Sequence, residues 1–323
     1  MVPGDILNRF RCNLDALVPA GTRVGVAVSG GPDSLALLLL AAAARPGEVE
    51  AATVDHGFRA ESHAEAEAVA ATCKGLGVPH ETLRIEWSAV PTSAIQERAR
   101  AARYAALATW MRERGLMTLL TGHHLDDQAE TLVTRLNRGS GVGGLAGMRS
   151  IATVPDAPDL SLVRPLLGWR RSELEALCKQ AGELPANDPS NSDPRHERVR
   201  VRQSLAASDL LEAESLARSA SHLALADEAL IWATDREWDN AVEQDGAAII
   251  YSPVDAPLEI RRRITARAIT QLASEGDPQL RGRELDRLLA GLMSGETATL
   301  RGVRCEGGTS WRFSAAKARK LAK

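Results

Sequence analysis

Aromatic residues make up only 3% of the 323-residue chain, so its core must be aliphatic, and the abundance of Ala and Leu favours helices. Cysteine is equally sparse: Cys12, Cys73, Cys178 and Cys305 stand far apart, with no Cys-x-x-Cys pair. That spacing argues against a zinc or iron–sulfur site built on cysteine, and in a chain this large it reads as ordinary thiols, not a disulfide framework. No apolar run approaches the ~20 residues needed to span a bilayer; the alanine-rich stretch Leu35 to Ala44 is too short. Acidic Asp5 and Asp15 do not suit a signal peptide. No membrane association is expected, and a cytoplasmic location follows. An excess of basic charge is also missing: the formal net charge of -3 gives no global pull toward a polyanion. A nucleic-acid footprint, however, needs only local Lys and Arg.

What is present is an alternation of short apolar runs with longer helical segments. Val24 to Val28, 49–55, 79–85 and Met117 to Thr121 read as strands. Residues 34–44, 61–76, 92–114 and 125–138 read as helices. This is the pattern of an α/β fold, a parallel sheet with helices on both faces. Gly139 to Gly147 breaks it, and so glycine-rich a loop is expected to be mobile unless a ligand orders it. Pro155 and Pro158 extend irregular structure as far as Leu162. A helix over 170–181, a loop from Pro185 to Pro194 and a helix over 197–207 follow. Beyond that the chain changes character: 211–244, 257–275 and 281–292 read as helices, and 247–251, 297–300 and 303–306 as short strands. The boundary is placed near 210, dividing 1–210 from a mainly helical domain over 211–323.

Ser29-Gly30-Gly31-Pro32-Asp33-Ser34 is the most informative segment. Adjacent glycines leave the backbone free to take positive φ and to aim several N–H groups at one point. The helix that follows adds its unpaired amides and positive dipole end, a natural pocket for phosphate or pyrophosphate. Ser29 and Ser34 offer hydroxyl donors, and Asp33 can ligate Mg²⁺ carried by a nucleotide. The glycines are not spaced as Gly-x-Gly-x-x-Gly, and no Gly-Lys-Ser/Thr follows, so neither a dinucleotide fingerprint nor a Walker-type loop is present. The bland reading, a turn with serine caps, stands beside the phosphate loop at this point.

His123-His124-Leu125-Asp126-Asp127-Gln128-Ala129-Glu130-Thr131 begins where the fourth strand ends, the place where ligands sit in open α/β sheets. On a helix His123 and Asp127 are i,i+4, as are Asp126 and Glu130. Such a cluster can hold Mg²⁺ and orient a base, or it can be an acidic helix start favoured by the dipole with a histidine cap.

Ser-Gly-Gly-x-Asp-Ser resembles the pyrophosphatase loop of the N-type ATP pyrophosphatases, which adenylate an oxygen of their substrate and release pyrophosphate. The closer match is to the tRNA(Ile)-lysidine synthase family. It rests on His-His-x-Asp-Asp-x-x-Glu-Thr together with Asp55-His56-Gly57-x-Arg59, Glu97-x-x-Arg100-x-x-Arg103-Tyr104, Arg164-Pro165-Leu166-Leu167, and Asp188-x-Ser190-Asn191-x-Asp193 followed by Arg198 and Arg202. These pieces span roughly 24–202; beyond 210 the likeness is diffuse. The resemblance implies an enzyme that uses ATP and Mg²⁺ to join free L-lysine to C2 of the wobble cytidine of a CAU-anticodon isoleucine tRNA, through an adenylated cytidine. It implies ATP contacts from Ser29 to Ser34 with Asp55 and His56, metal ligation by Asp33 and Asp127, and catalytic parts for Asp33, His123, Asp127 and Arg198. One departure is visible: Val199 stands where the family commonly has Asn, and valine has no amide to hydrogen-bond.

Arg195, Arg198, Arg200 and Arg202 form a basic cluster suited to phosphates. Arg261, Arg262, Arg263 and Arg267, with the tail residues Arg312, Lys317, Arg319, Lys320 and Lys323, extend basic character into the second domain. The six tryptophans are expected to pack in the interior. A cytidine thiolase is the alternative, opposed by the lack of paired cysteines; a non-enzymatic RNA-binding module is a third reading. The oligomeric state is not fixed by the sequence, which admits a homodimer.

Overall fold

Val24–Ala27 (β1) and Thr118–Leu120 (β4) lie side by side as parallel strands, with Gly25 opposite Leu119 and Val26 opposite Leu120. They are the centre of a six-stranded sheet ordered β3-β2-β1-β4-β6-β5, in which β2 is Val49–Asp55, β3 His80–Arg84, β5 Ile151–Val154 and β6 Ala157–Val163. The structure, a computed structural model, describes residues 2–57, 61–87, 94–186, 193, 195, 197–273, 280 and 282–316. Arg59, Asp188, Ser190, Asn191, Lys317, Arg319, Lys320 and Lys323 lie outside the described residues.

The first unit, Met1–His222, carries this sheet and the helices α1 (Gly4–Asp15), α2 (Pro32–Ala44), α3 (Glu61–Leu76), α4 (Ile95–Arg114), α5 (Leu125–Asn137), α6 (Val142–Leu145), α7 (Arg171–Ala181) and α8 (Glu197–Ala206). All pairings are parallel except β5 with β6. The connection from β1 through α2 leads to β2, whereas that from β4 through α5 leads away toward β6. The strand order therefore switches between β1 and β4, where open α/β sheets form their binding crevice. α2 is apolar on every side and buried from Ser34 to Ala41, packed among Phe10, Leu14, Leu174 and Leu177. That burial fixes its N-terminus, and the loop before it, at the crevice.

Two expectations for this unit are corrected. Residues 155–162 are not irregular but form most of a hairpin, turned at Asp156 with φ 58°. The prolines are accommodated because the register shifts after Thr153 and the ladder to β4 begins only at Ser161. Burial of Leu160, Leu162 and Val163 outweighs the turn signals. The glycine-rich segment 139–147 is ordered by the protein itself. Gln128 Nε2 donates to Met148 O at 2.8 Å, the Met148 amide donates to Gln128 Oε1 at 2.7 Å, and Arg135 donates to the carbonyls of Gly144 and Gly147.

The second unit, Leu223–Lys323, contains the later part of α9 (Ala213–Ala241), then α10 (Leu258–Leu272) and α11 (Gly282–Met293). These accompany an antiparallel sheet of β7 (Val242–Asp245), β8 (Ala248–Tyr251), β9 (Thr297–Leu300), β10 (Val303–Glu306) and β11 (Trp311–Ala315), ordered β7-β8-β11-β10-β9. Its core joins Ile260, Ile264, Leu285, Leu288 and Leu292 to Phe313 and an edge-to-face Tyr251–Trp311 pair with centroids 5.5 Å apart. β7 and β11 were not anticipated. Arg312 is thus part of a strand, paired with Asp245 at 2.7 Å, and not of a tail.

Candidate active site

The phosphate loop follows β1 directly. Gly30 adopts φ +83°, which a side chain would strain, and its carbonyl accepts the Ala186 amide at 2.9 Å. Gly31 is different: it sits at φ -71° as the N-cap of α2, and an added methyl would meet only Ser29 Oγ at 3.7 Å. Any need for glycine there comes from a ligand, not from the backbone. Ser34 Oγ accepts the Ser29 amide at 3.1 Å, donates to Gly31 O at 3.0 Å and lies 3.2 Å from Ser29 Oγ. The serines therefore brace the loop as well as offering hydroxyls.

The second loop meets it at the backbone. A Cβ on Gly122 would fall 2.7 Å from Asp33 O and 3.0 Å from the Ser34 amide nitrogen. No side chain fits in this contact. Sequence reasoning passed over Gly122 because it carries no chemistry; its signal is a glycine at the exit of the strand beside β1.

α5 begins at Leu125 with His124 as its N-cap, so His123 precedes the helix and the i,i+4 relation expected with Asp127 does not exist. The capping is reciprocal: the Asp127 amide donates to His124 Nδ1 at 3.4 Å and the His124 amide to Asp127 Oδ2 at 3.1 Å. The same histidine gathers the carboxylates, its Nε2 lying 3.5 Å from both Asp33 Oδ2 and Asp127 Oδ2. Burial works against its protonation, but the Asp33 hydrogen bond and the charges of Asp127, Asp33 and Asp126 outweigh it and raise its pKa. His123, beside Thr121 Oγ1 at 3.0 Å, goes the other way, to about 3. Burial is the main cause there, opposed by Asp127 and reinforced by Arg164, Arg198 and Arg103. Adjacent histidines thus sit in opposite electrostatic environments.

Arg198 closes the cluster from α8, donating to Asp127 Oδ1 at 2.6 Å and to Glu130 Oε2 at 2.8 Å; Arg202 donates to Glu130 Oε1 at 2.6 Å. Spaced i,i+4, these two arginines share the helix face turned to α5, while Val199 and Val201 are buried. The basic cluster at 195–202 is accordingly not a free phosphate-binding surface: Arg195 pairs with Asp193 and Arg200 donates to Arg195 O. In the second unit Arg262, Arg263 and Arg267 are likewise paired, with Asp286, Asp227 and Asp235.

Asp126 caps α7, accepting the Arg171 amide at 2.8 Å, through an oxygen that also lies 3.7 Å from His124 Nδ1. Asp55 is buried and closes a turn, accepting the Gly57 amide at 2.9 Å. At His56, burial and Arg103 lower the pKa against the pull of Asp55. Arg164 is buried and donates to Arg149 O at 2.7 Å, holding the chain that leaves the glycine loop. Cys178, unforeseen as a neighbour, donates to Pro32 O at 3.3 Å. Of the tryptophans, Trp110, Trp169 and Trp311 are fully buried, but Trp232 is 62% exposed with the Arg236 guanidinium 4.9 Å from its ring.

A family model described as a PP-loop domain matches residues 7–208. A tRNA(Ile)-lysidine synthase of Novosphingobium aromaticivorans is 50% identical over 96% of this chain and 93% of its own length. One of Zymomonas mobilis is 40% identical over 94% and 92%. Among solved structures, the U34-tRNA thiolase NcsA of Methanococcus maripaludis superposes with a TM-score of 0.55 at 16% identity, over 68% of this chain and 79% of that one. This last likeness concerns the fold alone.

Proposed function

The chain belongs to the tRNA(Ile)-lysidine synthases, and from that premise we propose how its own residues carry out ATP-dependent lysidine formation on tRNA(Ile). The observation that supports the reading most directly is the convergence of Asp33 and Asp127, from the ends of adjacent strands, on His124. ATP lies with its phosphates over the amides of Gly30 and Gly31 and the α2 N-terminus, next to Asp55 and His56. The O2 of cytidine 34 attacks the α-phosphate and pyrophosphate leaves. The ε-amine of free L-lysine then attacks C2, and AMP leaves with O2.

The residues fit Mg²⁺. Asp33 Oδ1 is buried without a hydrogen-bond partner, and carboxylate oxygens are the hard donors that this ion prefers. Asp33 and Asp127 would hold it, and when bound it neutralises charge on the phosphate oxygens. Arg198 adds a cation at the same edge. Lysine's ammonium, with a reference pKa of about 10.4, must lose a proton before it attacks. Asp127 is the candidate to receive it, a role that competes with holding the metal, for which Asp33 is the more secure ligand. His123, neutral above about pH 3, offers an uncharged imidazole beside the reacting groups.

Thiolation finds no support in the sulfur chemistry. Burial pushes the thiols of Cys73 and Cys178 up to about 11 and that of Cys305 to about 12, which keeps them protonated and unreactive. The second unit is assigned to the tRNA body and the location to the cytoplasm; among the described residues no helix is long and apolar enough to cross a membrane. Incubation with CAU-anticodon tRNA, ATP-Mg²⁺ and labelled lysine tests the reading. Label should enter the tRNA only with ATP, and its absence would refute the assignment.

A further inference from the structure

A cleft of about 460 Å³ opens between α5 and α8, and its lining includes Arg198, the partner of Asp127. Its volume lies in the range of small-molecule sites, about 300–1,000 Å³. Among the described residues, Arg135, Arg138, Arg198 and Arg202 line it with two carboxylates, Glu130 and Glu197, and with Thr131 and Thr134. Glu130 is matched by Arg198 and Arg202. Arg135 is bonded to backbone carbonyls, which leave its charge uncompensated. Arg138 is bonded to Glu197 at the mouth, where its side chain is 65% exposed. The cleft therefore keeps a positive balance, and its inner wall includes the arginine that touches Asp127.

We propose that this cleft binds the RNA phosphodiester flanking the reacting cytidine, with Arg138 as the exchangeable contact. This rests on the lysidine synthase reading, because it places the tRNA strand beside Arg198. Guanidinium forks suit phosphate oxygens, and an exposed ion pair such as Arg138–Glu197 is weak enough to be exchanged for phosphate. The incoming strand displaces Glu197 from Arg138, leaving that carboxylate in water. The basic clusters at 195–202 and 261–267 are largely engaged with carboxylates of their own units, whereas Arg135 is not. A second cleft of about 690 Å³, which shares Val199 and Arg202 with the first, is less suited, since Arg171 there is held by Glu175 and Glu183 faces the same space.

The test uses the full chain and CAU-anticodon tRNA(Ile), measuring filter binding at several salt concentrations and steady-state lysine incorporation. Arg138→Gln should weaken tRNA binding about tenfold, the size of one charge-assisted hydrogen bond. It should lower the slope of log affinity against log salt by about 0.7, and leave the KM for ATP unchanged. Glu197→Gln should act in the opposite direction, tightening tRNA binding, because it removes the competing carboxylate. The proposal is overturned if Arg138→Gln keeps the wild-type affinity and salt slope. It is equally overturned if both substitutions weaken binding alike, as a merely structural α5–α8 bridge would require. These shifts in the two variants, together with a wild-type chain that incorporates no lysine, would instead retire the lysidine reading and leave the RNA cleft standing.

Discussion

Glu130, buried on α5, receives the Arg202 guanidinium of α8 at 2.6 Å, and Arg198 binds its other oxygen. Breaking a buried pair leaves uncompensated charge. Glu130→Gln should therefore cost about 3 kcal/mol, near the lower end for such pairs because both arginines keep contact with water. Urea unfolding measures it, and a change within about 0.5 kcal/mol, ordinary for surface substitutions, would show that α8 is held by its buried valines alone.

Gly122→Ala should separate the Ser29–Ser34 loop from the His123–His124 segment, since its methyl meets the Asp33 backbone. A displacement of about 1 Å can cost a hundredfold in rate. Pyrophosphate release should fall by about that factor at saturating ATP. Gly31→Ala should instead leave the fold intact and raise the KM for ATP-Mg²⁺. Wild-type turnover in the Gly122 variant would show that the loops tolerate independent shifts.

Asp33→Asn should weaken the response to Mg²⁺, read as a higher KM for ATP-Mg²⁺. Asp127→Asn keeps a side chain able to cap α5 but loses the charge facing Arg198, and should abolish lysine incorporation with tRNA affinity nearly intact. Binding and turnover falling together would make Asp127 structural or part of the RNA surface.

The histidine pair predicts an acid limb in stability. His123 has its folded pKa depressed to about 3, so its contribution is fully present above the unfolded value of about 6.5. As pH falls below that value the unfolded chain takes up a proton that the folded one refuses, and stability is lost progressively toward pH 3. His123→Asn should flatten this limb in denaturation midpoints taken between pH 4 and 7. His124, whose pKa is raised, contributes with the opposite sign and in a higher window. Its stabilisation is fully present below about 6.5 and is lost as pH rises through its folded value. His124→Asn should therefore leave the acid limb in place and remove a loss of stability above about pH 6.5. A parallel response from both variants would contradict the opposed environments.

A chain cut after Glu306 should lose the second unit's cooperative unfolding, because β11 pairs with both β8 and β10. A cut after Ala316 should leave that transition unchanged and isolate the effect of residues 317–323 on the salt dependence of tRNA binding. If the shorter chain keeps the transition, β11 is dispensable to the core.

The centre of the parallel sheet was legible because β1 and β4 are short apolar runs; β2 and α3 fall where the alternation of elements puts them, at Val49–Asp55 and Glu61–Leu76. The β5–β6 hairpin was hidden because Pro155 and Pro158 are turn signals that a register shift accommodates. Ser29 to Ser34 and His123 to Glu130 could be picked out by residue type. Which carboxylate does what could not: Asp126 and Asp127 are neighbours in sequence, yet one caps α7 and the other faces Arg198. Arginine clusters misled for a related reason, since counting cations along a helix does not reveal the carboxylates opposite them.

The position of β11 in its sheet has a bearing on how the protein is made. Ribosomes deliver residues in order, and the strand that joins β8 to β10 is the last of the five to emerge. Tyr251 must wait 60 positions for its partner Trp311. Until then Ile249 and Tyr251 have no neighbour on that edge, and the pair β9–β10 has nothing to join it to β7–β8. The phosphate-loop unit can complete its sheet while this happens, since its strands end at Val163. Nascent chains should therefore pass through a stage with a completed first sheet and, later in the chain, an apolar, half-paired second sheet, the species that chaperones bind and that slow translation would prolong.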